Sequence, residues 1–283
     1  MTTDNSNRRT WMITGTSQGF GLALVHAALD RGDNVVATSR SPEKVRATAA
    51  GGGDRLFTTS MDLNSSEQIA GTVESAIKRF GRIDVLINNA GHGLLGAVEE
   101  ATDAEIAKVF ETNVFGLIRV TRAVLPLMRR QRRGHIVNLS SIGGLVGLPG
   151  WGMYNATKFA VEGLSEALAQ EVAPLGIGVT IVEPGPFRTD FLGGSLAMAR
   201  AHIADYDSTA GKTRDYQREN NGAQAGDPEL AAKAIIDAVV GKNPPLHLLL
   251  GALAYQRATA KLNSLRTEFE GWKAVTLATD FKE

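Results

Sequence analysis

The sequence predicts an α/β protein built on one doubly wound parallel sheet of about seven strands, with helices on both faces. Three observations carry this. Short β-rich runs alternate with longer helical patterns through the first two-thirds of the 283 residues. The strand runs are largely apolar, as strands covered on both faces must be. The glycine and polar clusters fall just after strands, where open α/β sheets bind their ligands.

Trp11-Met12-Ile13-Thr14 reads as the first strand, followed by glycines and a helix from about Phe20 to Arg31. Asn34 to Ser39 is the second strand, and Pro42 opens a short helix at a position proline favours. Leu56 to Met61 is a third strand, and the Gly51-Gly52-Gly53 run before it reads as a flexible loop. Ser65 to Phe80 is helical, with Ile69, Val73 and Ile77 spaced by four. Asp84 to Ile87 is a strand, Glu105 to about Arg130 one long helix, and His135 to Leu139 a strand. Asn155 to Ala173 is a helix and Val179 to Val182 a strand. Asp227 caps a helix that begins at Pro228. Leu246 to Leu250 is a last strand, and Ala252 to Glu270 a last helix. The chain reads as a single domain over residues 1–283. Within it, 1–8 form a flexible N-terminus, about 190–226 a lid over the substrate, and about 252–283 a helical extension.

Composition narrows the function. Hydrophobic residues are 43% and charged residues 21%, which fits a globular chain. Lys plus Arg and Asp plus Glu are 30 each, so no net charge draws the protein to nucleic acid or to an anionic membrane. The absence of cysteine excludes disulfides, zinc–thiolate sites and a thiol nucleophile. The five histidines form no His-x-x-x-His pair, so no metal is expected. The stretch Met1 to Arg9 has no apolar signal core, and no charge-free run approaches the roughly 20 residues that span a bilayer. A soluble, cytoplasmic protein is expected.

Four sets of residues carry chemistry. Thr14-Gly15-Thr16-Ser17-Gln18-Gly19-Phe20-Gly21 lies between a strand and a helix, where glycines admit a pyrophosphate to free helix N–H groups. A tight structural turn would use the same glycines. Dinucleotide sites place a discriminating residue roughly 20 positions on. Here Ser39 and Arg40 stand there instead of an acid, which suits the 2′-phosphate of NADP, unless Arg40 is simply a surface arginine. Tyr154 and Lys158 are four apart and share a helix face, where an ammonium would lower the phenol pKa toward neutrality. A chance surface pair has the same spacing. Ser141 follows a strand 13 positions before Tyr154 and can bond a substrate oxygen, although Ser140 and Ser141 also suit an ordinary turn.

Taken together, these residues resemble the classical short-chain dehydrogenase/reductase family over roughly Arg9 to Thr189, and more loosely to about residue 250. The family's Thr-Gly-x-x-x-Gly-x-Gly is met by Thr14 to Gly21, and its Asn-Asn-Ala-Gly by Asn88-Asn89-Ala90-Gly91. Its Tyr-x-x-x-Lys is met by Tyr154 and Lys158, with its serine at Ser141. Asn113, in Asn113-Val114-Phe115-Gly116, matches its helix asparagine, and Pro184 to Thr189 its Pro-Gly segment. Asp62 matches its adenine contact, with Leu63 beside it.

The resemblance implies a Rossmann fold and an oxidoreductase that moves a hydride between a nicotinamide and a carbonyl or secondary alcohol. NADP(H) is expected to be preferred, with NAD(H) also usable. Tyr154 would be general acid and base, Lys158 would hold the nicotinamide ribose and lower the Tyr154 pKa, and Ser141 would orient the carbonyl. Asn113 would anchor a water in a proton relay, a role that fits an asparagine inside a helix, where asparagine is disfavoured. Coenzyme contacts are expected at Gly15, Ser17, Gln18, Gly19, Phe20, Gly21, Ser39, Arg40, Asp62, Leu63, Asn88, Ala90 and Gly91. Further contacts are expected at Tyr154, Lys158, Pro184, Gly185, Phe187 and Thr189. The helices Glu105–Arg130 and Asn155–Ala173 would form a homodimer contact, or one interface of a homotetramer.

Some features depart from the pattern or add to it. Gln18 stands where NADP-preferring relatives often carry a basic residue in the glycine loop. His92 falls near the expected nicotinamide pocket but reads as a loop histidine. The run Arg129-Arg130-Gln131-Arg132-Arg133 complements a helix C-terminus rather than marking a nucleic-acid site. Leu145, Val146, Leu148, Trp151, Phe187, Phe191 and Leu192 cluster in the expected substrate loops and imply a hydrophobic ketone or aldehyde. The rival reading is a non-catalytic regulator that binds a dinucleotide on the same fold; such a protein would be expected to have lost Tyr154, Lys158 or Ser141.

Overall fold

A computed structural model describes residues 8–281, so all but Arg8 of the expected flexible N-terminus lies outside the described residues. In chain order the strands are β1 (Thr10–Thr14), β2 (Asn34–Ser39), β3 (Leu56–Ser60), β4 (Val85–Asn88), β5 (Gly93–Leu95), β6 (Gly134–Leu139), β7 (Ile177–Pro184), β8 (Leu196–Met198) and β9 (His247–Leu250). The helices are α1 (Gly19–Asp30), α2 (Pro42–Thr48), α3 (Ser66–Phe80), α4 (Asp103–Phe110), α5 (Leu117–Gln131), α6 (Gly152–Val172), α7 (Lys212–Asn220), α8 (Pro228–Val240) and α9 (Ala252–Leu277).

Seven strands form one parallel sheet in the order β3-β2-β1-β4-β6-β7-β9. Because side chains alternate across a strand, Ile13 and Val35 face α1 and α8, while Met12 and Val36 face α3 and α5. Both faces are thus buried, and this is why the strands read as apolar runs. The winding direction reverses between β1 and β4, opening a crevice at the carboxyl ends of those strands. Among the described residues, no helix is long and apolar enough to cross a membrane.

The expected caps form. Ser65 accepts from the Gln68 amide at the start of α3, and Asp227 accepts from the Glu229 and Leu230 amides at the start of α8. Three expectations need correction. The long helix Glu105–Arg130 is two α-helices joined through a π-helical turn over Glu111–Gly116. The turn packs on a distant part of the chain: Gly116 lies so close to Leu63 that a Cβ there would stand 2.8 Å from the Leu63 Cβ. The Gly51-Gly52-Gly53 loop forms 3₁₀ turns within Ala50–Arg55, broken by a kink at Gly53, where φ is +52°. Residues 190–226 contain α7 and also β8, which pairs in parallel with β5. The last helix runs past Glu270 to Leu277; it is anchored by Ala254 and Ala258, whereas Leu262, Phe269 and Trp272 stay exposed.

Candidate active site

The crevice floor is built by glycines at points of close approach. Gly15 has φ +70°, and a Cβ on it would stand 2.7 Å from the Ala90 Cα. A Cβ on Gly21 would stand 2.2 Å from the Gly15 carbonyl oxygen and 2.6 Å from Asn89 Nδ2. The turns after β1 and β4 are therefore pressed together. Asn89 fastens them, its Nδ2 donating to the carbonyls of Thr14 (2.9 Å) and Gly15 (3.0 Å). Thr14 Oγ1 returns the link, accepting from the Asn89 and Ala90 amides. No side chain caps α1 and no acid lies in its first turn, so its opening amides and positive dipole end remain for an anion. These residues fit the pyrophosphate of a dinucleotide.

Several expected coenzyme residues meet this crevice. Thr189 stands over Gly19, where a Cβ would be 3.3 Å from the Thr189 Cβ, and the Phe187 ring lies 5.1 Å from that of Phe20. Ser39 is buried at the end of β2 and accepts from the Ser41 amide. Arg40 is exposed beside it, and among the described residues no carboxylate pairs with it. Asp62 accepts from the Asn64 amide, and Leu63 packs on the π-helical turn. Two of the expected residues also bond within the protein. The Asn88 amide points inward, donating to Thr121 Oγ1 and Asn138 Oδ1, while its neighbour Asn89 shapes the loop. Gln18 Nε2 reaches Asp190 Oδ2 (2.9 Å) and Ser195 Oγ (3.2 Å), tying the glycine loop to the lid.

The second cluster lies at the carboxyl end of β6 and the start of α6. Tyr154 and Lys158 are buried on successive turns, as their spacing requires. Lys158 Nζ donates to the Leu139 carbonyl (2.6 Å) and sits 5.7 Å from the Tyr154 ring centroid. The Ser141 hydroxyl accepts from the Gly143 amide at 3.0 Å and lies beside Tyr154: a Cβ on Gly143 would stand 3.4 Å from both Ser141 Oγ and Tyr154 Cε1. Asn113, inside the π-helical turn, donates to the His92 carbonyl (2.9 Å) and Thr157 Oγ1 (3.2 Å), and its Oδ1 accepts from the His92 amide. A π-helical turn often marks a functional position. Gly91 joins the groups: a Cβ there would lie 3.1 Å from Asn113 Oδ1 and 3.9 Å from Lys158 Nζ. Ser141, Tyr154, Lys158 and Asn113 thus form one cluster beside the crevice.

Burial sets the charges here. It pushes the Tyr154 phenol up to about 12, against the smaller opposing effect of Ser141. The net direction is upward, so burial outweighs the lowering expected from Lys158. Burial brings Lys158 down to about 8, with Glu162 opposing. Near neutrality Tyr154 therefore carries its proton and Lys158 is largely charged.

The substrate side is aromatic. Trp151 meets the Tyr154 ring edge-on at 5.4 Å, and Phe191 lies 5.4 Å from Tyr154 and 6.1 Å from Trp151. Leu192 is buried in the same lid turn. Leu145, Val146 and Phe187 do something else. The first two pack with Ile142, Ala254 and Ala258 to seat α9, and Phe187 packs on Phe20 and the α1–α8 core. Their apolar character alone could not distinguish anchoring from substrate contact.

Comparison with known proteins gives a consistent result. Residues 9–199 match the family model of the short chain dehydrogenase. The chain is 39% identical over 270 residues to oxidoreductase BOA17 of Botryotinia fuckeliana, covering 95% of this chain and 98% of that one. It is 41% identical over 249 residues to 3-ketodihydrosphingosine reductase of Bacteroides thetaiotaomicron, covering 86% and 87%. The crystal structure of a short-chain dehydrogenase from Streptomyces avermitilis superposes with a TM-score of 0.92 at 42% identity, covering 97% and 100%. Two more distant solved structures hold coenzyme. A serine dehydrogenase carries NADP+ (27% identity, TM-score 0.72, covering 85% and 94%). A 3-ketoacyl-(acyl-carrier-protein) reductase from Brucella melitensis carries NADH (25% identity, TM-score 0.73, covering 86% and 96%).

Proposed function

The chain belongs to the short-chain dehydrogenase family, and on that premise we propose that it is an NADP(H)-dependent reductase of hydrophobic ketones or aldehydes, with Tyr154 as its proton donor. Membership makes it an NAD(P)-dependent dehydrogenase or reductase with a nicotinamide dinucleotide as cofactor. The finer reading rests on one observation above all. A protonated phenol at Tyr154 neighbours the Ser141 hydroxyl, sits beside Lys158, and is walled by Trp151 and Phe191.

Bound nicotinamide supplies the hydride. A carbonyl oxygen held between the Ser141 and Tyr154 hydroxyls has two donors aimed at the charge that grows on it. Tyr154, raised by burial, keeps its proton until that oxygen takes it. The Lys158 ammonium then stabilises the phenolate left behind. In the reverse direction the same phenolate removes the proton of a secondary alcohol. Asn113 holds the His92 loop and Thr157 in place around Lys158.

NADP is favoured because Arg40 is exposed without a carboxylate partner among the described residues, and Ser39, too small to occlude a phosphate, replaces an acid. A hydrophobic substrate is favoured by the aromatic wall, and the name of the Bacteroides relative points to a lipid-like ketone. We further propose a homodimer or homotetramer formed through α4–α5 and α6. The test of function is NADPH consumption across a panel of ketones, aldehydes and quinones of graded length. Long-chain apolar ketones should turn over best. Activity confined to short, charged carbonyl compounds would overturn the substrate reading.

A further inference from the structure

One helical turn beyond Lys158 on α6 stands Glu162, a buried charged side chain that the reaction above does not use. Facing it is Glu183, fully buried at the carboxyl end of β7 and brought to the α6 side by strand alternation with Val179. Gly144 makes the space: a Cβ there would stand 2.5 Å from Ser140 Oγ and 2.8 Å from Glu162 Oε1. Two carboxylates enclosed in this way need donors, yet no well-formed hydrogen bond reaches either oxygen of Glu162 or Oε2 of Glu183.

A third side chain leads outward. His247 on β9 places Nδ1 2.7 Å from Glu183 Oε1 and 3.9 Å from Glu162 Oε2. Its other nitrogen lies 3.8 Å from Glu166 Oε1, and the ring is 42% exposed. The polar and charged groups around the pair are therefore Lys158 and Glu166 on α6, Ser140 after β6, and His247 on β9.

We propose that Glu162 and Glu183 share one proton, exchange it with solvent through His247, and so act as a positioning pair that governs the charge on Lys158. The step is a single ionisation. The proton leaves the pair for His247 and then water, and the pair passes from one negative charge to two, the added charge standing on Glu162 near the lysine. Burial pushes Glu162 up to about 7, with the Glu183 charge adding to it, and burial raises Glu183 as well, with Glu166 adding to that. Below that range the pair holds its proton on Glu162 and its single negative charge on Glu183 beside His247, so Glu162 gives Lys158 no counter-charge. Above it, the Glu162 carboxylate holds the Lys158 proton on against the effect of burial.

The role predicts opposite effects from two isosteric changes. Glu162→Gln removes the counter-charge, so the alkaline limb of the kcat profile should move down by about one pH unit. Glu183→Gln removes the competitor for the proton, so Glu162 ionises earlier and the limb should hold or move up. A merely structural role would lower activity in both variants without moving either limb.

The inference rests on Lys158 serving as the active-site lysine, so the deciding measurement reads the proton without turnover. Infrared spectra of the coenzyme-free full chain are recorded against pH for the wild type, Glu162→Gln, Glu183→Gln and His247→Gln. A protonated-carboxyl band should titrate near neutrality in the wild type. It should titrate lower in Glu162→Gln and in Glu183→Gln, where one carboxyl is left without its competitor, and titrate higher in His247→Gln, which serves on its own if Glu162→Gln does not fold. No such band in the wild type, or one unchanged in all three variants, overturns the proposal. So does a band that appears only after chelation, which would mean that a cation fills the space between these carboxylates and His247. A titrating band in a protein without reductase activity would remove the functional reading and leave the shared proton standing.

Discussion

Replacing Asn89 with alanine isolates the contact that sets the coenzyme loop. The change deletes two donated hydrogen bonds, to the Thr14 and Gly15 carbonyls at 2.9 and 3.0 Å. At about 1 kcal/mol each, the loss is about 2 kcal/mol. For a chain of this size that corresponds to a Tm lower by roughly 4–8 °C. Gly21 rests on the same amide, so the start of α1 also loses its stop. A loop no longer held in its binding shape should take up coenzyme about tenfold more weakly. Asn88→Ala is the control. It deletes two bonds of similar length, to Thr121 and Asn138, but inside the core. It should lower Tm comparably and leave coenzyme affinity near wild type. Differential scanning fluorimetry and a coenzyme fluorescence titration, run well below both midpoints, separate the two. Wild-type Tm and affinity in Asn89→Ala, or equal affinity losses in both variants, would refute the assignment of loop-setting to Asn89.

Other expectations follow from the same geometry. Arg40→Ala should weaken NADPH binding by about tenfold or more while changing NADH binding little, since only the phosphate meets the guanidinium; equal losses in a titration with both coenzymes would exclude phosphate recognition here. Gln18→Ala severs the tie to Asp190 and Ser195, so KM for substrate should rise by roughly two- to fivefold with Tm unchanged, because exposed bonds add little stability; an unmoved KM would show that this tie does not hold the lid. His135 is held down to about 4 by burial. The unfolded chain gains that proton near pH 6.5, so the contribution is complete above that pH and falls as pH drops, by about 1.4 kcal/mol per unit, until the folded value is reached. Denaturant midpoints of the wild type minus those of His135→Gln, measured against pH, should show this slope, and a flat difference would contradict it.

Much of this was legible in the sequence, for reasons that can be located. Met12, Ile13, Val35 and Val36 are apolar on both faces because α1 and α8 cover one side and α3 and α5 the other. The Tyr154–Lys158 spacing survives because a helix turns the pair onto one face whatever surrounds it. What was not legible depends on contacts distant in sequence. The π-helical turn at Asn113 follows from packing on Leu63 and the His92 loop, roughly 50 and 20 residues away; the odd asparagine in a helix was its signal. Which asparagine of Asn88-Asn89 serves the loop is decided by strand direction at the end of β4, a one-residue question that spacing cannot answer. The Tyr154 pKa depends on enclosure by Trp151 and Phe191, so the expected lowering by Lys158 gave way to burial. Glu162 and Glu183 carried no motif. Only the alternation of β7 against α6 brings them together.

The proton donor is the centre of the account, and Tyr154→Phe tests it most directly. The substitution removes one oxygen and keeps the ring that packs on Trp151 and Phe191. NADPH affinity should stay within about twofold of wild type, and kcat on the best ketone of the panel should fall by about 10²- to 10⁴-fold. Turnover at the wild-type rate with a properly folded variant would contradict the assignment of Tyr154 and, with it, the proposed chemistry.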